Sequence, residues 1–293
     1  MQYIFKTYIL KEKQPEGIQV PKTIIYTVKF VQFISIGLVS KLASKIFTSP
    51  IKHKIPKREF EMDKKTRQET VFIPEINKNI VVYHYGESPK KVLLVHGWSG
   101  RGTQLVKFAD ELLHSGYSTI SFDAPAHGKS AGKTTLMPEF IASILELEKL
   151  YGPFEYAVGH SLGGISLLNS VKMGLKIKKL IVIGSADKIK DIFDEFVRKL
   201  ELKPVVSDRM IAGFEKQYGV SMENYSAHIA AKEVSIPTLV IHDENDYEVP
   251  IFCGKNIHKH LPNGEMFVTQ KLGHRKILGD KHVIKKTMDF IQN

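Results

Sequence analysis

The stretch Val158-Gly159-His160-Ser161-Leu162-Gly163-Gly164 decides how this 293-residue chain folds. Tyr156 to Val158 is a short β-forming run and a helical pattern follows, so Ser161 falls at a strand-to-helix junction. A G-x-S-x-G turn in that context holds its serine in a strained backbone conformation, and the glycines remove side chains that would collide with neighbouring elements. The hydroxyl is then presented at the carboxyl end of a sheet. There the start of the next helix offers unpaired N–H groups and the positive end of a dipole to a developing oxyanion. Ser161 is thereby a candidate nucleophile.

Outward from this turn, compact apolar or β-branched runs recur at Val92–Val95, Thr119–Phe122, Leu180–Ile183, Thr238–Ile241 and Met266–Thr269. They are preceded by a hairpin expected from Val71–Ile73 and Ile80–Tyr85. Helical stretches fill most gaps, which predicts an α/β fold with a mostly parallel sheet covered by helices on both faces. The exception is residues 187–235, a long insertion with an amphipathic helix over Ile189–Leu200 and another stretch near Met210–Tyr218. It is expected to form a helical lid. Residues 68–293 thus form one domain, as the length allows.

Residues 1–67 form a basic extension, with 14 Lys and Arg against 5 Asp and Glu, leaving 28 against 26 in the rest. The formal charge of +11 is therefore concentrated outside the catalytic region, and a nucleic-acid stripe across that region is not expected. Met1 to Leu10 lacks the pattern of a secretory signal. From Thr23 to Phe47, Ile24, Val28, Val31, Ile34, Leu38, Leu42 and Ile46 recur at helical spacing, predicting one amphipathic helix. The eleven uncharged residues between Lys29 and Lys41 are too few to span a bilayer. The apolar face, widened by Phe30 and Phe33, has two candidate receivers: the protein's own domain, or a membrane surface that Lys52, Lys54, Lys57 and Arg58 would also meet. Amphipathicity does not choose between them. Cys253 is the single cysteine, so no internal disulfide forms and a cytoplasmic location, peripheral to a membrane at most, is expected.

The order of these motifs resembles the α/β-hydrolase superfamily over roughly Val71 to Ile291, and Gly159 to Gly164 looks like its serine esterase and lipase branch. A serine rather than an aspartate at the nucleophile position argues against haloalkane dehalogenases and epoxide hydrolases of the same fold. The resemblance carries an oxyanion hole onto the backbone N–H of Trp98, in His96-Gly97-Trp98-Ser99-Gly100, and onto that of Leu162. Among twelve histidines, His274 in Leu272-Gly273-His274-Arg275 matches the family's general base, after the last strand and before the C-terminal helix. His160 is constrained beside the serine, and His96 belongs to the oxyanion loop, where such histidines are structural.

For the acid that orients the base, two placements compete. Asp246, before Val249-Pro250, resembles the acid of the family's penultimate strand loop, with Asp243, Glu244 and Glu248 nearby in solvated or turn-capping roles. Asp187 is the alternative, and the order Ser, Asp, His favours Asp246. Gly128-Lys129-Ser130 lacks the first glycine of a phosphate loop, which would fall at Asp123. Ala126 stands where a related turn often has a second glycine. No metal site and no cofactor is expected. The expected activity is hydrolysis of a carboxylic ester, with a lipid-derived acyl ester among the candidates, through an acyl-enzyme. The same triad also serves thioesterases, peptidases and C–C hydrolases, and a non-catalytic membrane-associated binding protein could keep the fold. Composition leaves the oligomeric state open.

Overall fold

The computed structural model describes residues 20–293. The reading of Met1–Leu10 lies outside the described residues, as does the start of the basic extension.

Eight strands form one sheet in the order β1-β2-β4-β3-β5-β6-β7-β8. They are β1 (Arg67–Ile73), β2 (Lys78–Tyr85), β3 (Lys91–Val95), β4 (Ser118–Asp123), β5 (Tyr156–His160), β6 (Lys179–Ile183), β7 (Thr238–Asp243) and β8 (Gly264–Thr269). Only β2 runs against its neighbours, pairing antiparallel with β1 and β4, while all other pairs are parallel. The central strands are apolar throughout because both faces are covered. Leu93, Val95, Leu180 and Val182 enter one core, and Val92, Leu94, Ile181 and Ile183 alternate into the other.

Twelve α-helices are described: α1 (Lys22–Ile34), α2 (Ile36–Phe47), α3 (Phe60–Lys65), α4 (Val106–His114), α5 (Met137–Tyr151), α6 (Leu162–Lys172), α7 (Ile189–Lys199), α8 (Val205–Tyr218), α9 (Ala227–Ala231), α10 (Ile251–His260), α11 (Gly273–Lys276) and α12 (Lys281–Gln292). The first core joins residues of α5, α6 and the insertion, the second residues of α3, α4 and α12. α12 starts at Asp280, whose carboxylate accepts from the N–H groups of His282 (2.9 Å) and Val283 (3.1 Å).

The single helix expected over Thr23–Phe47 is two. Ser35 is extended (φ −159°, ψ 127°) and its hydroxyl accepts from the N–H of Leu38, so a capping residue restarts the chain as α2. The break also divides the expected apolar stripe. Val28 is buried and Ile24, Val31, Leu42 and Ile46 pack on the first core, whereas Ile34 and Leu38, beside the break, are exposed. α2 packs on α8, and the Gln32 side chain accepts from the N–H of Lys203 (2.7 Å). One face of the hairpin therefore rests on the protein's own insertion.

The insertion contains α7, α8 and α9, with α8 starting five residues before the stretch expected from the sequence. Its neck is closed by hydrogen bonds. The Asp187 carbonyl accepts from the N–H of Ala227 (2.8 Å), and Ser226 Oγ accepts from the N–H of Ile189 (2.9 Å).

Candidate active site

β5 ends at His160, and Ser161 turns the chain into α6 with φ 54° and ψ −119°, a left-handed region that a side chain adopts only under strain. Neighbouring groups hold it there. The Ser161 N–H donates to the carbonyl of Ile183 (2.8 Å), and Ser185 Oγ donates to the carbonyl of Ser161 (2.9 Å). The flanking glycines are demanded by close approach. A Cβ on Gly159 would lie 2.7 Å from the Gly163 carbonyl, and one on Gly163 would lie 2.7 Å from the His96 carbonyl. Gly97 brings the His-Gly loop against Ser161, since a Cβ there would sit 3.0 Å from Ser161 Cβ.

As the first residue of α6, Leu162 has an N–H with no partner inside the helix. Trp98 follows Gly97 on the adjoining loop, and that loop is held on several sides. Gly97 N–H donates to the Gln104 side chain (2.9 Å), and Ser99 N–H donates to His127 Nε2 (3.0 Å). Residues before the sheet also grip it. Ser99 Oγ accepts from the N–H of Ile51 (3.0 Å), Arg101 donates to the His53 carbonyl (2.8 Å), and buried Glu59 accepts from Thr103 Oγ1 (2.8 Å) beside the Arg101 guanidinium (3.6 Å). This bracing by residues 51–59 was not foreseen from the sequence.

The ends of β7 and β8 bring Asp246 and His274 together. His274 Nδ1 lies 2.7 Å from Asp246 Oδ2, and Asp246 Oδ1 accepts from the N–H groups of Glu248 (2.9 Å) and Val249 (2.8 Å). A Cβ on Gly184, which follows β6 and has φ +57°, would be 3.5 Å from His274 Nδ1. The imidazole therefore lies over the strand end whose preceding residue, Ile183, accepts from the Ser161 N–H. Nε2 of His274 has no protein hydrogen-bond partner among the described residues, and neither has Ser161 Oγ.

Asp187, the alternative acid, is engaged elsewhere. Its Oδ1 accepts from the N–H of His228 and lies 2.8 Å from that residue's Nδ1, while its Oδ2 accepts from Asn256 (2.5 Å). It pins the neck of the insertion to α10.

Asp243, assigned from sequence to solvent or a turn, is fully buried and ties the two loops together. Oδ1 accepts from the N–H groups of Asn245 (2.9 Å) and Gly273 (2.9 Å), and Oδ2 from Thr269 Oγ1 (2.8 Å) and the N–H of Leu272 (3.1 Å). Burial raises its pKa, but the hydrogen bonds from Gly273, Thr269, Leu272 and Asn245 outweigh it and hold the carboxyl below its ordinary value. The sequence signal was its place at the end of a strand buried along its whole length.

The other histidines near the site are neutral. Burial pushes His160 and His96 well below the ordinary imidazole value, and His127 down to about 4. His160 donates through Nε2 to the His274 carbonyl (2.9 Å), and the two rings lie 4.6 Å apart. His96 bridges the loops, donating through Nδ1 to the Gly97 carbonyl and accepting through Nε2 from Ala124 N–H. Burial also pushes the Cys253 thiol up to about 12, so it is no rival nucleophile.

Asp123 accepts from the N–H groups of Gly102 and Lys129 (each 2.6 Å) and from Tyr83 (2.8 Å), while Ser130 Oγ donates to its carbonyl (2.6 Å). Gly128-Lys129-Ser130 is thus a structural turn. Ala126, two residues before it, adopts φ 65°, a conformation that suits glycine better than a residue with a side chain. Among the described residues no three His, Cys, Asp or Glu side chains are grouped to hold a metal ion.

An aromatic cluster stands over Trp98. Phe47, from the end of α2, stacks on Phe193 (4.4 Å between centroids), meets Phe196 edge-on (5.0 Å), and lies 6.4 Å from both Trp98 and Phe214. The extension and the insertion thus share one apolar wall beside the loop that carries Trp98. The helical periodicity of the sequence did not indicate this meeting.

A family model described as the alpha/beta hydrolase family matches residues 92–220, and one described as TAP-like protein matches residues 204–293. The chain is 25% identical over 244 residues to an uncharacterised hydrolase, YugF, of Bacillus subtilis strain 168, covering 67% of this chain and 88% of the relative. Solved structures with a similar fold include an esterase of Exiguobacterium antarcticum (18% identical, 78% of this chain and 100% of that one, TM-score 0.60). Another is a membrane phospholipase A described as a bacterial virulence factor (15% identical, 93% and 99%, TM-score 0.62). The chain belongs to the α/β-hydrolase superfamily. It is a hydrolase, with esterases and lipases among the proteins it resembles.

Proposed function

We propose that the protein hydrolyses a carboxylic ester with an apolar acyl group through an acyl-enzyme on Ser161. The observation that carries this reading is the Asp246–His274 hydrogen bond of 2.7 Å, which commits Nδ1 and leaves Nε2 open at the sheet edge where Ser161 is held at φ 54°. In the first step the Ser161 hydroxyl proton passes to Nε2 of His274 as Oγ attacks the acyl carbon. The N–H groups of Trp98 and Leu162 receive the oxyanion; losing one such donor in a serine protease costs about 3–4 kcal/mol. His274, its imidazolium stabilised by Asp246, returns the proton to the departing alkoxide. A water then gives a proton to Nε2 and attacks the acyl carbon, releasing the carboxylic acid as the Ser161 hydroxyl re-forms.

The apolar acyl group is supported by the Trp98, Phe47, Phe193, Phe196 and Phe214 cluster, which is aromatic and brings no charge beside the oxyanion loop. With α7 and α8 supplying Phe193, Phe196 and Phe214 to that cluster, the insertion acts as a lid. Labelling with a fluorophosphonate tests the nucleophile: wild type is tagged and Ser161→Ala is not, and equal labelling of the two places the nucleophile elsewhere. A graded series of p-nitrophenyl esters, with thioester and aminoacyl substrates alongside, tests the substrate class. Higher kcat/KM on longer acyl esters is expected, and preference for thioester or aminoacyl substrates would replace the ester reading.

A further inference from the structure

The hairpin α1–α2 uses only one of its faces for packing. On α1 the exposed residues Tyr26 (68%), Phe30 (66%), Phe33 (90%) and Ile34 (60%) fall at positions i, i+4, i+7 and i+8, a single stripe that continues into exposed Leu38 across the break. The opposite side holds Val28 and Val31 against the core. Scattered exposed apolar residues are ordinary, but two phenylalanines, a tyrosine and two aliphatics contiguous on one helix pair form a surface that water solvates poorly.

The charge that this stretch of chain itself carries is of one sign. From Gly17 to Arg58 the chain contains no Asp or Glu, and it carries Lys22, Lys29, Lys41, Lys45, Lys52, Lys54, Lys57 and Arg58, all exposed. Lys29 pairs with Glu201, and Lys52 donates to the Ser130 carbonyl. Lys22, Lys41, Lys45, Lys54 and Lys57 have no acidic partner among the described residues. An apolar aromatic stripe bordered by unneutralised lysines is complementary to a layer with anionic headgroups over an acyl interior. No described helix is long and apolar enough to cross a membrane, so the contact would lie in the interface plane. A second copy of this chain would bring the same lysines against one another, which disfavours a symmetric dimer through this face.

We propose that the α1–α2 hairpin docks on an anionic lipid surface, Phe30 and Phe33 entering the headgroup and acyl boundary while the lysines meet the headgroups. The same hairpin places Phe47 in the aromatic wall above Trp98, so docking brings the lipid to the element that builds the acyl side of the site. Docking does not itself require the hydrolase chemistry.

Flotation of the full chain with vesicles of phosphatidylcholine alone, and of phosphatidylcholine with phosphatidylglycerol, tests this. Wild type is expected to float with the anionic vesicles and not the neutral ones, and to be released by 0.5 M salt, with an affinity loss of about fivefold for each lysine reversed or screened. Phe30→Ser/Phe33→Ser is expected to lose at least tenfold in binding, because each exposed ring would forfeit its transfer out of water. Lys41→Glu/Lys45→Glu should do the same while its turnover of a soluble short-chain ester stays at the wild-type level. Ser161→Ala should float like wild type, so failure of the nucleophile assignment leaves docking standing. Wild-type flotation of the Phe30→Ser/Phe33→Ser variant, equal binding to neutral and anionic vesicles, or no flotation at all overturns the proposal. So does a sedimenting dimer that Phe33→Ser dissolves, since the stripe would then belong to a second copy.

Discussion

Replacing Asp243 by Asn changes one atom and should injure both stability and turnover. The carboxylate accepts four hydrogen bonds, two on each oxygen, from Asn245, Gly273, Thr269 and Leu272. An amide keeps one accepting oxygen. If that oxygen retains Asn245 and Gly273, the NH2 group faces Thr269, whose hydroxyl can rotate to accept, and the N–H of Leu272, which cannot. One buried donor is then opposed by another, costing about 1–3 kcal/mol, and the two retained bonds lose their charge-assisted strength, roughly another 1 kcal/mol. A loss of about 3 kcal/mol follows, a shift of roughly 6–12 °C in Tm at the 2–4 °C per kcal/mol typical of chains this size. Leu272 and Gly273 lead directly into His274, so the same change loosens the imidazole. A displacement of about 1 Å at the reacting groups can cost on the order of a hundredfold in rate. Urea unfolding together with steady-state hydrolysis of a soluble p-nitrophenyl ester reads both, with kcat falling and KM little changed. If Asp243→Asn unfolds within about 0.5 kcal/mol of wild type and retains kcat within threefold, Asp243 does not position the loop.

The two candidate acids separate by the same kinetics. Asp246→Asn should lower kcat by about four orders of magnitude with the fold intact, whereas Asp187→Asn should lower stability by breaking the His228 and Asn256 contacts while leaving kcat near wild type; the reverse pattern moves the acid to Asp187. Stability should fall on acidification before most carboxylates titrate. His127 is neutral in the folded chain down to about pH 4, while the unfolded chain takes up its proton near pH 6.5, so its contribution is complete above 6.5 and shrinks as pH falls towards 4. At pH 5 this amounts to about 2 kcal/mol, with His96 and His160 acting in the same direction, and urea midpoints unchanged between pH 7 and pH 5 would contradict it. Glu59→Gln removes the charge facing the buried Arg101 guanidinium and should cost about 3 kcal/mol. It should also lower kcat by slackening the loop that carries Trp98, and a stable, fully active Glu59→Gln protein would show that residues 51–59 do not brace that loop.

What was legible in the sequence divides by the range over which each signal acts. The strands were legible because a sheet covered on both faces demands short continuous apolar runs, and Leu180–Ile183 or Thr238–Ile241 state that demand within four residues. The elbow was legible as a motif, although only Gly159 answers a clash within the turn itself, while Gly163 and Gly164 make room for the ends of β3 and β6. The break at Ser35 was hidden because apolar spacing continues through it, and only the capping hydroxyl and the extended backbone end the first helix. Asp243 was hidden for a different reason. Four carboxylates crowd residues 243–248, and apart from its place at the end of a buried strand nothing local distinguishes the one that turns inward to accept from residues 269, 272 and 273 on another strand's loop. Phe47 belongs to the same class, as its partners Phe193, Phe196 and Phe214 are supplied by an insertion more than a hundred residues away. The chemistry of an α/β-hydrolase site is thus written in short motifs, because each reacting group sits at a strand end. The groups that position the candidate site residues and build the aromatic wall beside them are contributed across loops and layers, so they become identifiable only when the chain is folded.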